Sequence, residues 1–286
     1  MSAHDSSDAR PPDASSGWRQ PAASAAPSPG AMPPSGNPAP ADEVRGMFDR
    51  IAPVYDGMNA AISGFQEPRW RRLAVRATRL GSGMHALDVA CGTGKVSADL
   101  QAAVAPAGTV LGIDFSARMI ERAQAAFAGR QGLTFAVGDA LALPVEDGRF
   151  DAATIAFGMR NLADYRQGFA ELRRAVRPGG RVVCLEIARP RSRLGRAIQA
   201  WFDRIVPVIG RAVGQGGAYA YLVQSTRAYP TPEQIAALMV EAGLEQVHWR
   251  PLSAGIVTLH VGVRPAGADP LPDGVPAARR DVAETR

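Results

Sequence analysis

The ten residues His85-Ala86-Leu87-Asp88-Val89-Ala90-Cys91-Gly92-Thr93-Gly94 leave this chain few ways to fold. An apolar run carrying one acid breaks into Gly-Thr-Gly, and Lys95–Val104 follows with helical spacing. That is the pattern of a buried parallel strand, a tight turn and a helix. Glycine suits such a turn because a backbone without side chains lets a ligand approach closely. Twenty residues beyond Gly94, a second apolar run, Thr109–Ile113, ends in Asp114. A carboxylate at that strand tip is placed to accept both hydroxyls of a ribose.

A dinucleotide site asks for a third glycine three residues after the second, and Ser97 stands there instead. The full pyrophosphate cradle is missing, which disfavours a nicotinamide-dependent oxidoreductase. A nucleoside without phosphates fits better, and the expected cofactor is S-adenosylmethionine (SAM). Asp88, Gly92, Thr93, Gly94 and Asp114 are its candidate contacts. Asp139-Ala140, after the next strand, adds an acid and a backbone N–H suited to the exocyclic amine and ring nitrogen of adenine.

Strand patterns fall at about 84–90, 109–114, 133–137, 151–157 and 181–187, alternating with helical ones near 95–104, 116–127, 164–176 and 232–242. Short links between strongly apolar strands predict an α/β doubly wound parallel sheet. Gln246–Arg250 and Ile256–Val263 are joined by only Pro251–Gly255, too short for a parallel crossover, so the last strand should run antiparallel. A mostly parallel, Rossmann-like sheet with an antiparallel last strand is the plan of class I methyltransferases.

The ends read differently. Residues 1–41 hold nine of the 23 prolines, among alanine, serine and glycine, and 266–286 lack apolar periodicity. Both are expected to be disordered tails around one domain at 42–265. The acidic, non-apolar start does not read as a signal peptide, no apolar run is long enough to span a membrane, and a cytoplasmic protein is expected. Two distant cysteines and four scattered histidines give no metal-ligand spacing, so no metal is expected. The net charge of +5 is almost all arginine, Lys95 being the only lysine, and no basic–aromatic platform suggests nucleic acid.

Three segments carry the remaining candidates. Val44, Met47, Phe48 and Ile51 mark a helix ahead of the first strand, and Tyr55, Asp56 and Asn59 follow it. Such a helix can fold over the cofactor, with Tyr55 as a cofactor or lid contact. Arg160-Asn161 follows a glycine at a strand end and faces the cleft where these sheets bind ligands. Residues 189–229 read as an inserted helical lid, and the arginines with Trp201 and Phe202 in 189–213 also suit peripheral contact with an inner membrane face. A homodimer is left open.

Met47-Phe48-Asp49-Arg50-Ile51-Ala52 with Tyr55-Asp56 and Asn59, and Phe157-Gly158-Met159-Arg160-Asn161, resemble the signature motifs of the ubiquinone/menaquinone C-methyltransferases. Tyr219-Ala220-Tyr221-Leu222 with Ser225, and Ala254-Gly255 with Leu259-His260, resemble their C-terminal signatures. The resemblance covers about 44–263. It implies SAM contacts at Thr93, Asp114 and Asp139-Ala140, and methyl transfer to a ring carbon of a polyprenylated hydroquinone, either demethylmenaquinol or the benzoquinol precursor of ubiquinone. Residues 64–70 and Ala156 depart from the family pattern.

Such a carbon becomes nucleophilic when an ortho hydroxyl loses its proton. A phenol pKa of about 10 makes a cation or base at that oxygen useful, a base typically contributing about 10²–10⁴-fold. Arg160 is the candidate for stabilising the phenolate, Asn161 for orienting the ring or a bridging water, and His260 for the base. Two other functions fit the same motifs: a small-molecule methyltransferase of specialised metabolism, and a SAM-binding structural member of a quinone-synthesis complex.

Overall fold

A computed structural model of the chain describes residues 17–21, 35–212 and 216–267. Seven strands form one sheet: β1 His85–Val89, β2 Thr109–Asp114, β3 Leu133–Val137, β4 Phe150–Ala156, β5 Val176–Ile187, β6 Glu245–Leu252 and β7 Val257–Val263. Their order is β3-β2-β1-β4-β5-β7-β6. β1 to β5 are mutually parallel, whereas β7 runs antiparallel to both β5 and β6. The alternation and the short last link predict this class of sheet correctly. The insertion of β7 between β5 and β6 is new, and gives β7 a hydrogen-bonded neighbour on each side.

The helices are α1 Ala41–Ile51, α2 Tyr55–Ile62, α3 Glu67–Thr78, α4 Lys95–Val104, α5 Ala117–Ala126, α6 Tyr165–Ala175, α7 Arg193–Ala212, α8 Gly216–Ala228 and α9 Pro232–Glu241. Local chemistry fixes several starts. The Ser116 and Asp164 side chains accept the N3 amides of α5 and α6, and Thr231 with Gln234 forms a reciprocal capping box at α9. The sheet is buried on both faces. Leu87, Ile113, Ile155 and Cys184 pack with α6 and α9 through Phe169, Leu172, Ile235 and Met239. Ala86 and Val110 meet α4 through Leu100 and Val104, while Val183 and Leu185 meet α3 through Trp70 and Ala74.

Two pieces of the expected N-terminal tail lie on this fold. Arg19 exchanges both backbone hydrogen bonds with Trp249 on the edge strand β6, at 2.8 and 2.9 Å. An exposed edge offers unpaired N–H and C=O groups, and this short bridge satisfies one pair of them. Further on, the Ser35 carbonyl accepts from Tyr165 and the Asn37 amide donates to Leu162. A Cβ at Gly36 would overlap the Ala163 carbonyl oxygen at 1.8 Å. The folded unit therefore takes in residues ahead of 42. The remainder of both expected tails lies outside the described residues.

Candidate active site

The sheet order reverses at β1 and β4, and loops leaving the carboxyl ends of adjoining strands open a crevice there. Two cavities occupy it. The first, about 260 Å³, is lined by Gly92, Asp114, Phe115, Asp139, Ala140 and Asn161 among others. The second, about 270 Å³, lies beneath α7 and α8 and is lined by Asn59, Trp70, Arg160, Gln199, Trp201 and Leu222 among others. Tyr55 and Phe157 line both, so these two side chains stand at the boundary. Phe157 holds a left-handed backbone, φ 57°, where β4 breaks into the Gly158 turn.

The first cavity has the donor set of a nucleoside site. Asp114 accepts from the Gly92 amide at 2.8 Å through one oxygen and from the Ser116 amide at 2.9 Å through the other. Each oxygen keeps a lone pair for a ribose hydroxyl. Burial pushes the Asp114 carboxyl up to about 6, against the hydrogen bonds from Ser116 and Gly92. A Cβ at Gly92 would project toward the cavity, with only the Tyr55 ring near it, at 3.7 Å. These residues fit an adenosine-type cofactor. Phe48 of the leading helix also lines it, as do Arg45, Phe115 and Met119, which the sequence does not single out. Phe115, directly after the strand-tip acid, is the one whose position could have revealed it.

The strap formed by α1 and α2 is latched over this cavity. Thr93 donates to Asp56 at 2.8 Å, Lys95 sits 3.1 Å from the same carboxylate, and Ser116 donates to Asp49 at 2.6 Å. Thr93 thus holds the strap and does not line the cavity.

Three other candidates also lie elsewhere than expected. Asp88 is enclosed, accepting from Ser97 at 2.6 Å and Thr154 at 2.7 Å, so it ties β1 to α4 and β4 and lines neither cavity. Gly94 faces away from the cavity, and a Cβ there would lie 2.7 Å from the Phe135 ring. His260 lines neither cavity. It is buried on β7, its Nε2–H donates to the Pro232 carbonyl at 3.0 Å, and burial lowers it to about 4. A ring so committed and so weakly basic is not placed to take a proton in the cleft.

Arg160 and Asn161 separate onto the two sides of the boundary. Arg160 lies in the second cavity, where its Nη1 donates to Glu186 at 2.8 Å and to the Phe157 carbonyl. Burial alone would lower its pKa, but Glu186, with Tyr55 and Tyr221, holds the guanidinium above its ordinary value. Glu186 was missed although it is a lone acid in an apolar strand, the same signal that drew notice to Asp88. Asn161 lies on the first cavity, and its Oδ1 accepts from the Tyr221 hydroxyl of α8 at 2.9 Å. That hydroxyl in turn accepts from the Asn37 amide. Burial raises the Tyr55 phenol, opposed by its hydrogen bond with Asn59.

Comparison with known proteins gives this geometry a family. Demethylmenaquinone methyltransferase of Thermus thermophilus is 42% identical over 223 residues, covering 77% of this chain and 100% of that one. Ubiquinone/menaquinone biosynthesis C-methyltransferase UbiE of Geobacter sulfurreducens is 40% identical over 227 residues, covering 77% and 88%. Among solved structures, a SAM-dependent methyltransferase of Thermotoga maritima shares the fold at TM-score 0.54 and 18% identity, covering 77% of this chain and 98% of that one. So does the [4+2]-cyclase SpnF, at 0.54 and 19%, covering 82% and 100%, a reminder that this fold alone does not fix a reaction. The sequence pattern of the ubiE/COQ5 methyltransferase family matches residues 38–264, and the chain belongs to that family.

Proposed function

We propose that this protein is a SAM-dependent C-methyltransferase of quinone biosynthesis, acting on the ring of a polyprenylated hydroquinone. The observation that carries this reading is the pair of adjoining cavities, one furnished for a nucleoside and one largely apolar, meeting at Tyr55 and Phe157. SAM, when bound, supplies an electrophilic methyl group. Asp114 and the Gly92 turn would hold the ribose, and Asp139-Ala140 would receive the adenine edge. Tyr55 and Phe157 would hold the acceptor ring in line and keep water out, which is where catalysis of a displacement mostly lies. Arg160 would stabilise the ring oxygen that becomes anionic, with Glu186 fixing its guanidinium plane. Asn161, oriented by Tyr221, would fix the approach from the cofactor side.

The rim supports a lipidic acceptor that remains in its membrane. Ile198 and Trp201 line the second cavity and are partly exposed on α7, and Phe65 projects beside the Gly64 and Gln66 that line it. We place the membrane face here, with the prenyl chain leaving between α7 and the 63–66 loop. No described helix is long and apolar enough to cross a membrane.

The deciding experiment is methyl transfer from labelled SAM to demethylmenaquinol and to the benzoquinol precursor of ubiquinone, each chemically reduced. Product on either supports the reading and selects the head group. SAM binding with no product on either would move the acceptor to another class. The departure from the family pattern at 64–70 would then be the first place to look, because Gly64, Gln66, Glu67 and Trp70 all line the acceptor cavity.

A further inference from the structure

Arg181 differs from several of the other arginines that the fold covers. Arg71 meets Glu67 and Asp99, Arg160 meets Glu186, and Arg174 meets Glu171 and Asp147. Arg264 donates at 2.7 and 3.0 Å to the carbonyls of Val176 and Arg174. Half-buried Arg181 makes one long hydrogen bond, 3.4 Å, to the Ala77 carbonyl, and no carboxylate lies within ion-pair distance of it among the described residues. Burial and the neighbouring Arg79 push its pKa down to about 10, with no acid to offset them.

Its side chain faces a cavity of about 200 Å³ that shares no lining residue with the two at the strand ends. Arg76, Arg79 and Arg250 line the same cavity, and no aspartate or glutamate does among the described residues. His248 forms part of the wall. Its Nδ1–H is committed to the Gln246 carbonyl at 2.7 Å, and burial, with Arg181 and Arg79, holds its pKa below the ordinary value, leaving the ring neutral. Trp18 packs edge-on against that ring at 4.6 Å, carried there by the segment that Arg19 pairs to β6.

Four guanidinium groups around one partly enclosed space lined otherwise by apolar side chains and His248 repel one another and focus positive potential into it. Low-dielectric walls make that repulsion costly, and a multiply charged anion relieves it. The guanidinium fork matches oxyanion geometry, so several arginines can each take different oxygens of one phosphate group. We propose that this cavity is a second ligand site, separate from the methyl-transfer centre, which binds the phosphate or diphosphate group of a small molecule or of a lipid headgroup.

The test uses the full chain at fixed ionic strength. Inorganic pyrophosphate is titrated by calorimetry, and in a second arm the protein is sedimented with phosphatidylcholine vesicles containing or lacking phosphatidic acid. The expected result is saturable one-site binding in at least one arm, weakened about tenfold or more by Arg181→Gln and by Arg79→Gln. SAM affinity stays unchanged in both variants. Arg79 is exposed at the end of α3, so its variant keeps the test valid should Arg181→Gln fail to fold. Binding of free pyrophosphate points to a soluble phosphate, and binding of acidic vesicles alone, weakened by both substitutions, points to a headgroup. Absence of binding in both arms, or binding that both substitutions leave intact, overturns the proposal.

Discussion

Gly92 and Gly94 lie two residues apart in one turn and are glycine for different reasons. Both hold left-handed backbone, φ 55° and 83°. The space for a Cβ at Gly92 is the cofactor cavity, whereas at Gly94 it is taken by the Phe135 and Phe127 rings, 2.7 and 3.1 Å away. Gly92→Ala is therefore expected to cost about 1–2 kcal/mol of stability for its backbone conformation and to weaken SAM binding clearly. Gly94→Ala pays that cost plus about 1–3 kcal/mol for overpacking, and should lower the unfolding temperature more. Calorimetric SAM titration beside thermal unfolding separates them, and wild-type SAM affinity in Gly92→Ala would refute the assignment. The sequence shows that the turn needs glycines but not which one faces the ligand. The two strand acids pose the same problem. Asp88 and Asp114 are both single acids in apolar strands and both cofactor candidates by sequence, yet hydroxyls from α4 and β4 close around the first and backbone amides meet the second. His260 looks available in sequence because nothing there shows that the chain at Pro232 will place a carbonyl on its ring.

At the scale of elements, the core strands and α4, α5, α6 and α9 are legible because they are periodic and most are bounded by caps or glycines, whereas α2 is not. What joins them was not, since the joining groups are far apart in sequence. Asp88 is one such joint, linking β1, β4 and α4, and burial raises it from 3.8 to about 6. A carboxyl whose pKa is higher in the folded state binds its proton more tightly there. Its contribution is complete below the unfolded value and is lost as pH rises through the folded one. Between about pH 4 and 6 the wild type should therefore lose on the order of 3 kcal/mol relative to Asp88→Asn, with no further change above that window. Denaturant unfolding of both proteins across this range checks the difference, and a constant offset would show that Asp88 does not titrate there. Tyr221 is a second joint, from α8 to Asn161 and, through Asn37, to the N-terminal segment. Tyr221→Phe keeps the ring and removes the hydroxyl. Turnover should fall roughly two- to tenfold, the worth of one hydrogen bond, with little change in unfolding temperature. Wild-type turnover in this variant would leave Asn161 oriented by something else.

For the whole molecule, the sheet places the cavity proposed for the cofactor at the switch point and the one proposed for the acceptor toward the face built by α2, α7 and α8. That face carries apolar side chains which no part of the described fold covers: Phe65 is 78% exposed and Leu194 65%. Leu194, Ile198 and Trp201 recur on one side of α7, and Arg193, Arg196 and Arg204 on the same helix are exposed. Apolar residues rimmed by cations suit an anionic bilayer surface, where each basic residue contributes about 1 kcal/mol. Composition suggested such contact for 189–213, but it could not supply Phe65, which reaches the rim only because α2 ends at Ile62 and the chain turns back into α3. Neither Phe65 nor Leu194 lines the acceptor cavity, so replacing both with serine separates docking from chemistry. Burying two such side chains contributes roughly 3–6 kcal/mol at full insertion, and half of that still changes partitioning more than tenfold. Phe65→Ser with Leu194→Ser should therefore reduce sedimentation with anionic vesicles at least tenfold. Methylation of a long-chain quinol held in those vesicles should fall with it, while methylation of a water-soluble short-chain quinol stays at the wild-type rate. Equal loss on both acceptors would mean that these residues shape the cavity instead, and unchanged vesicle binding would put the membrane face elsewhere.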